Sequence, residues 1–193
     1  ITASMGFLVD AGRTMLPPAK AYQWALDAAT LKVESGAISY GQAIKDAVRE
    51  LASGGLRVVG YESGHRDHVD VAARRAVMTG VSQLCSKYTE QAAEYLETPY
   101  YEVSAHAGAR DVPGRSPWSS HKDWQGKVYS MKGLEEICGY GQGGGLAGWN
   151  CRHSFYPFDR EIDERIYSDD DLRKMKEEES KKKSFEGKEY DTY

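Results

Sequence analysis

Four side chains in the second half of the chain could act together chemically: His106, His121, Cys151 and His153. Imidazole nitrogen and thiolate sulfur are both zinc donors, and a structural zinc site takes four such ligands. Cys151 and His153 are two residues apart, so on a strand they would face the same side and could hold one ion. The spacing matches no standard zinc finger. The competing reading is a set of core histidines and a core cysteine satisfied by hydrogen bonds to backbone.

The same residues permit catalysis. Cys151 could serve as nucleophile with His121 or His153 as its base. His106 and His121 could form an acid–base pair, with Arg110 or Arg152 stabilising an anion, as a metal-independent ribonuclease requires. No Gly-x-Ser-x-Gly and no Ser/Asp/His order accompanies them. No catalytic residue is therefore assigned, and a non-enzymatic role is expected. Arg110 and Arg152 have a structural alternative: a guanidinium can clamp carbonyls at the base of a glycine loop, or a carboxylate such as Glu102, Asp111 or Asp123.

These candidates fall within residues 101–158. That stretch holds three of the five histidines, two of the three cysteines and three of the four tryptophans. Reactive polar groups among large aromatics mark a site or a tightly specified core, not a solvated surface. The Trp124-Gln125-Gly126 turn should seat its indole in the core, and Trp149 is expected to do the same. The glycines of 141–145 lack the Gly-Lys-Ser/Thr ending of a phosphate loop, so 139–148 reads as an irregular loop.

The elements that must position this stretch follow from the pattern upstream. Pro17-Pro18 opens a helix with Tyr22, Leu26, Ala29 and Val33 on one face, and Gly36 ends it. Ser39 to Gln42 has the form of a capping box and starts a second helix with Ile44, Val48 and Leu51 inward. Residues 56–61 read as a strand and 62–65 as a turn. A long helix then runs from Asp67 or His68 to about Leu96. Its predicted stripe is Val77, Val81, Leu84, Tyr88 and Tyr95, with Cys85 as a small core residue beside it. His65 and His68 read as exposed residues near that helix start. Pro99 breaks the helix, and 100–104, 127–130 and 153–156 read as strands, with a short helix over 133–138. Ser168 caps a charged helix through Leu172 and Met175, and 181–190 reads as a turn or hairpin. This tail reads either as an arm that packs on a partner or on further sequence, or as a solvated segment.

Composition narrows the class. The chain has 193 residues and a net charge of -4, and an isoelectric point near 5.8. That argues against non-specific DNA binding through a basic face. No apolar run approaches bilayer length, so no membrane partner is expected. The opening ITASMGFLVDAG lacks a basic leader and is not read as a signal peptide. Three widely spaced cysteines do not make a disulfide framework and suit a reducing compartment. The chain starts without Met and ends in a charged run, so a fragment of a longer protein is expected.

Several long motifs carry a resemblance. They are His106 with Gly108-Ala109-Arg110, then HKDWQGKVYS (121–130), then GWNCRHSFYPF (148–158). Upstream, AYQWALDAATLKVESGAISYGQAIKDAVREL and VAARRAVMTGVSQL fit as well, as does IYSDDDLRKM with FEGKEY downstream. In this order they resemble the phage minor capsid protein 2 family, which looks like a divergent relative of the Mu F-type head morphogenesis proteins. The segment DVPGRSPWSS between Arg110 and His121 is longer than that pattern. The resemblance implies a virion component of a tailed phage or prophage. It would be present in few copies near the portal and would act in head assembly, or travel with the DNA. The implied partners are portal and/or capsid subunits, further copies of itself and DNA. The implied locations are the phage head and, during assembly, the host cytoplasm. Mu F-type proteins are sometimes fused to toxin domains, which keeps a virion-packaged ribonuclease or Cys/His hydrolase as the alternative function.

The expected architecture is α+β: a helical region over 1–98 with a short strand, a compact loop-rich module over 99–158, and a charged arm over 159–193. No cofactor is expected, with a structural zinc at His106, His121, Cys151 and His153 as the alternative.

Overall fold

The computed structural model describes residues 9–10, 15–112, 114, 116–181, 183–185 and 188–190. Most of the opening segment read for a signal peptide, and the tip (186–187) of the expected C-terminal hairpin, lie outside the described residues. The fold is α+β. It divides into two compact units, Ile1–Leu84 and Cys85–Tyr193.

In the first unit, β1 (Val9–Asp10) pairs antiparallel with β2 (Met15–Leu16). Helix α1 (Pro18–Glu34) begins at a proline, whose missing N–H costs nothing in a first turn. It buries Tyr22, Ala25, Leu26 and Ala29. Helix α2 (Tyr40–Ser53) is capped by Ser39, whose hydroxyl accepts from the Gln42 backbone N–H at 3.2 Å. The expected capping box is half made, because the Gln42 amide turns instead to Asp46 at 2.7 Å. Ala43, Ala47 and Leu51 of α2 meet α1 and the start of α3 (Val69–Tyr95) in one apolar core with Val59, Ala73 and Val77.

Residues 66–68 are not the start of the long helix. They form β4 (Arg66–His68), paired antiparallel with β3 (Val58–Gly60). Tyr61 N–H donates to the His65 carbonyl at 2.9 Å and closes the hairpin. Asp67 holds it from below, 2.9 Å from Arg75 and 3.0 Å from His65 Nε2.

The predicted stripe of α3 holds for Val77 and Val81 and fails further on. Tyr88 and Tyr95 are 58% and 88% exposed, and Cys85 is exposed rather than a core residue. Beyond Leu84 the buried side of α3 carries Ser86 and Ala93. Glu90 joins that side by accepting from the Tyr140 hydroxyl. The residues 86, 90 and 93 share one helical face, and Tyr88 and Tyr95 point away from it.

The second unit is built on a three-stranded antiparallel sheet. Its central strand β5 (Tyr100–Val103) lies between β6 (Val128–Ser130) and β7 (Phe155–Phe158). The last strand starts two residues later than expected and includes Pro157, which an edge strand tolerates because its outer side needs no donor. A single turn, α4 (His121–Trp124), and a short helix, α5 (Met131–Glu136), flank the sheet. Trp124, Leu134, Leu146, Phe155, Val103 and Cys138 form the core.

The charged arm, mostly exposed, also makes contacts within its own unit. Helix α6 (Asp169–Ser180) starts at a full capping box between Ser168 and Asp171. Its Glu179 carboxylate, with a side chain only 4% exposed, pairs with Lys122 at 2.9 Å and accepts from Gly108 N–H at 2.7 Å. Upstream, the buried Glu102 carboxylate accepts from the N–H groups of Ile166 and Tyr167 at 2.9 and 3.3 Å. These contacts use charged residues, which apolar periodicity does not register. The last strands, β8 (Lys183–Phe185) and β9 (Lys188–Tyr190), pair antiparallel.

Candidate functional site

The sheet places the candidates before any side chain acts. Beyond the paired strands, Ser104 N–H donates to the Ser154 carbonyl at 2.8 Å, and Ser154 N–H donates to the Ser104 hydroxyl at 3.0 Å. That zipper fixes His153 and His106 on neighbouring chain segments. His121 N–H donates to the Arg110 carbonyl at 2.7 Å and anchors α4. Trp124 then inserts into the core, 1% exposed, with its indole N–H on the Trp118 carbonyl at 3.0 Å.

The glycine loop brings in Cys151. Residues 138–151 fold as a chain of tight turns, with Leu146 N–H on the Cys138 carbonyl at 2.8 Å and Trp149 N–H on the Gly143 carbonyl at 2.7 Å. Only glycine fits at two of these positions. A Cβ on Gly145 would lie 2.2 Å from the Gly139 oxygen, and one on Gly148 would lie 2.5 Å from the Gly143 oxygen. Trp149 corrects an expectation here. It is 64% exposed, because its ring covers Gly143 from outside instead of entering the core.

Three of the four candidate ligands converge. The donor atoms of His121, Cys151 and His153 lie within 4.8 Å of one another, and all three residues are buried. Cys151 Sγ is 3.9 Å from His121 Nδ1 and 3.7 Å from His153 Nδ1. His106 adjoins this group, its ring stacked on His153 with centroids 4.3 Å apart. Trp124 packs on both His121 and His153, at 4.5 and 4.9 Å.

One backbone and one side-chain oxygen set the tautomers. His121 Nε2 faces the Gly144 carbonyl at 3.0 Å, so that nitrogen carries the proton. The Gln125 side-chain oxygen accepts from His106 N–H at 3.1 Å, which fixes the orientation of the amide. His153 Nε2 meets that same oxygen at 3.0 Å and must also donate. Both Nδ1 lone pairs therefore face Cys151. His106 Nδ1 donates to the Ala107 carbonyl at 2.8 Å. Its Nε2 is buried without a hydrogen-bond partner.

Burial keeps the cluster uncharged. Desolvation pushes His153 down to about 3, helped by the neighbouring His106, His121 and Arg110. Desolvation lowers His121 as well, against the pull of the Gly144 carbonyl. Burial raises the Cys151 thiol. Neutral imidazoles beside a buried thiol are poor equipment for attack on an outside substrate, and Cys151 is only 7% exposed.

Arg110 lies at the rim, where its guanidinium donates to the carbonyls of Gly144, at 3.0 Å, and of Trp149. Neither contact is a carboxylate: Asp111 instead accepts from Ser120 at 3.0 Å, and Glu102 holds the chain at Ile166. Arg152 is exposed and Asp123 is exposed. Gln125 and Gly144 are the site residues that sequence reasoning does not single out. Their parts depend on pairings across turns, and no residue type announces them.

The sequence profile described as phage minor capsid protein 2 matches residues 11–190. The chain belongs to the phage minor capsid protein 2 family. The match takes in both compact units and all four candidate side chains. No curated protein and no solved structure matches the chain. Membership of a minor capsid family supports a structural role in a phage particle. No helix among the described residues is long and apolar enough to cross a membrane.

Proposed function

We propose that this minor capsid protein acts in head assembly, in contact with portal or capsid subunits, and remains in the finished virion. The family match over residues 11–190 carries the reading. The enclosure of the cluster supports it over a packaged hydrolase or ribonuclease. His121, Cys151 and His153 are 1%, 7% and 2% exposed, so their chemistry is turned toward the protein itself. Further copies of the chain, or packaged DNA, are additional contacts of the same assembly. The acidic balance of the chain favours protein surfaces over nucleic acid.

Quantitative mass spectrometry of purified virions, with cross-linking before disruption, tests the proposal. The expected result is a fixed, low number of copies per particle, with cross-links to portal or capsid subunits. A protein found only in the soluble lysate, with heads assembling normally in its absence, would overturn it.

A further inference from the structure

We propose that His121, Cys151 and His153 hold one zinc ion, through Nδ1, Sγ and Nδ1. The inference stands independently of the assembly role.

Three observations carry it. The first is spacing. Zinc bonds to sulfur at about 2.3 Å and to imidazole nitrogen at about 2.1 Å, so a tetrahedral ion separates adjacent S and N ligands by roughly 3.6 Å. The two Sγ–Nδ1 distances are 3.9 and 3.7 Å. Both separations are close to the S···N edge of a tetrahedral zinc site.

The second is proton counting. Gly144 and Gln125 fix both Nε2 atoms as donors, so two lone pairs face one thiol. A thiol has a single proton and can serve only one of them. A cation between the three atoms satisfies both lone pairs and the sulfur at once. On binding, the Cys151 S–H bond breaks, an S–Zn bond forms, and the proton leaves to solvent.

The third is the outer shell. Metal-bound histidines donate their other N–H to a carbonyl or carboxylate, which orients the ring. Both rings already do so, toward a backbone carbonyl and a side-chain amide oxygen that is itself held by His106 N–H. His106 lies alongside with a buried, unpartnered Nε2. One sulfur with imidazole nitrogens selects zinc over magnesium or calcium, which take oxygen ligands. Three protein ligands leave the fourth tetrahedral position to water or to His106, and the burial of all three encloses the ion as a tie within the fold. It would join the α4 turn, the end of the glycine loop and the segment leading to β7.

The test uses the full chain, purified without an affinity tag or chelator. Elemental analysis should find close to one zinc per chain, and X-ray absorption at the zinc edge should show one sulfur and at least two nitrogens. Replacement by cobalt(II) should give a thiolate-to-metal charge-transfer band. Cys151→Ser should abolish that band, and Cys85→Ser should leave it unchanged. Should Cys151→Ser fail to fold, the absorption spectrum of the parent protein still decides. Less than a tenth of an equivalent of zinc after dialysis against zinc, a shell without sulfur, or a band that survives in Cys151→Ser would each overturn the proposal.

Discussion

The two units bury different chemistry. The first unit is closed by α1, α2 and the start of α3 over Ala25, Ala29, Ala43, Ala47, Ala72 and Ala73, with Leu26, Leu51 and Val77 filling between them. Alanine loses no side-chain entropy, and its size lets helices approach closely. The second unit buries Trp124, Tyr101 and Phe155, and with them Glu102, Ser119, Ser120, His121, Gln125 and His153. Among the described residues, the buried Ser, Glu, Gln and His side chains all lie in the second unit. Apolar burial tolerates small errors of position, whereas buried polar groups are costly unless each finds its partner. The first unit is thus specified by pattern, and the second by individual contacts.

That contrast can be broken most forcefully at Trp124. Trp124→Ala should cost the second unit about 3–5 kcal/mol, because it removes a filled core volume and the ring that packs on His121 and His153. Hydrogen exchange should speed up in β5, β6 and β7 and stay unchanged in α1 and α2. Exchange rising equally in both units would show that they do not unfold separately. Leu51→Ala is the mirror experiment. It should cost about 2–5 kcal/mol, with the faster exchange confined to the first unit.

Glu102→Leu probes the polar side of the comparison. It replaces the buried carboxylate by an apolar side chain and leaves the N–H groups of Ile166 and Tyr167 without their acceptor, at a cost of about 1–3 kcal/mol. Limited proteolysis should then cut between β7 and α6, where the parent protein resists.

The smallest effect is expected at the start of α6. Ser168→Ala should cost about 1 kcal/mol, read as faster exchange in that helix. Hydrogen bonds from the Ser168 hydroxyl and backbone N–H hold the Asp171 carboxyl below its ordinary range. The folded form therefore binds its proton less readily than the unfolded form. This support is present above the ordinary carboxylate value and is lost as pH falls through the lowered one. Protection of α6 should weaken on that acid side, and Ser168→Ala should flatten the dependence.

Legibility followed the same division. Helices α1 and α2, with their buried faces and the Ser39 cap, could be read from the 3.6-residue period and from Pro and Gly punctuation. The centre of the sheet was legible too, from the aromatic run Tyr100-Tyr101. The pattern misled where a helix changed its environment: Tyr88 and Tyr95 continue the period of α3 and are exposed all the same. It also missed β4, because Arg66-Asp67-His68 is a strand made by its partner and its turn and not by β-propensity. The cluster was visible as a list of residue types. Its arrangement was not, since Gln125 and Gly144 act through atoms that every glutamine and every peptide unit possesses.

The placement of β5 at the centre of the sheet also sets an order of events on the ribosome. Tyr100 pairs with both Ser130 and Phe158, so the strand is synthesised before either neighbour, and long before the second. The first unit needs only nearby partners and can close while synthesis continues. The second must wait for the segment ending at Phe158, with an aromatic strand open on its β7 edge in the interval. A pause or a truncation before that point would leave Tyr100 and Tyr101 available to a neighbouring nascent chain. The length of chain still to be translated is thus the period in which this protein is most vulnerable to aggregation.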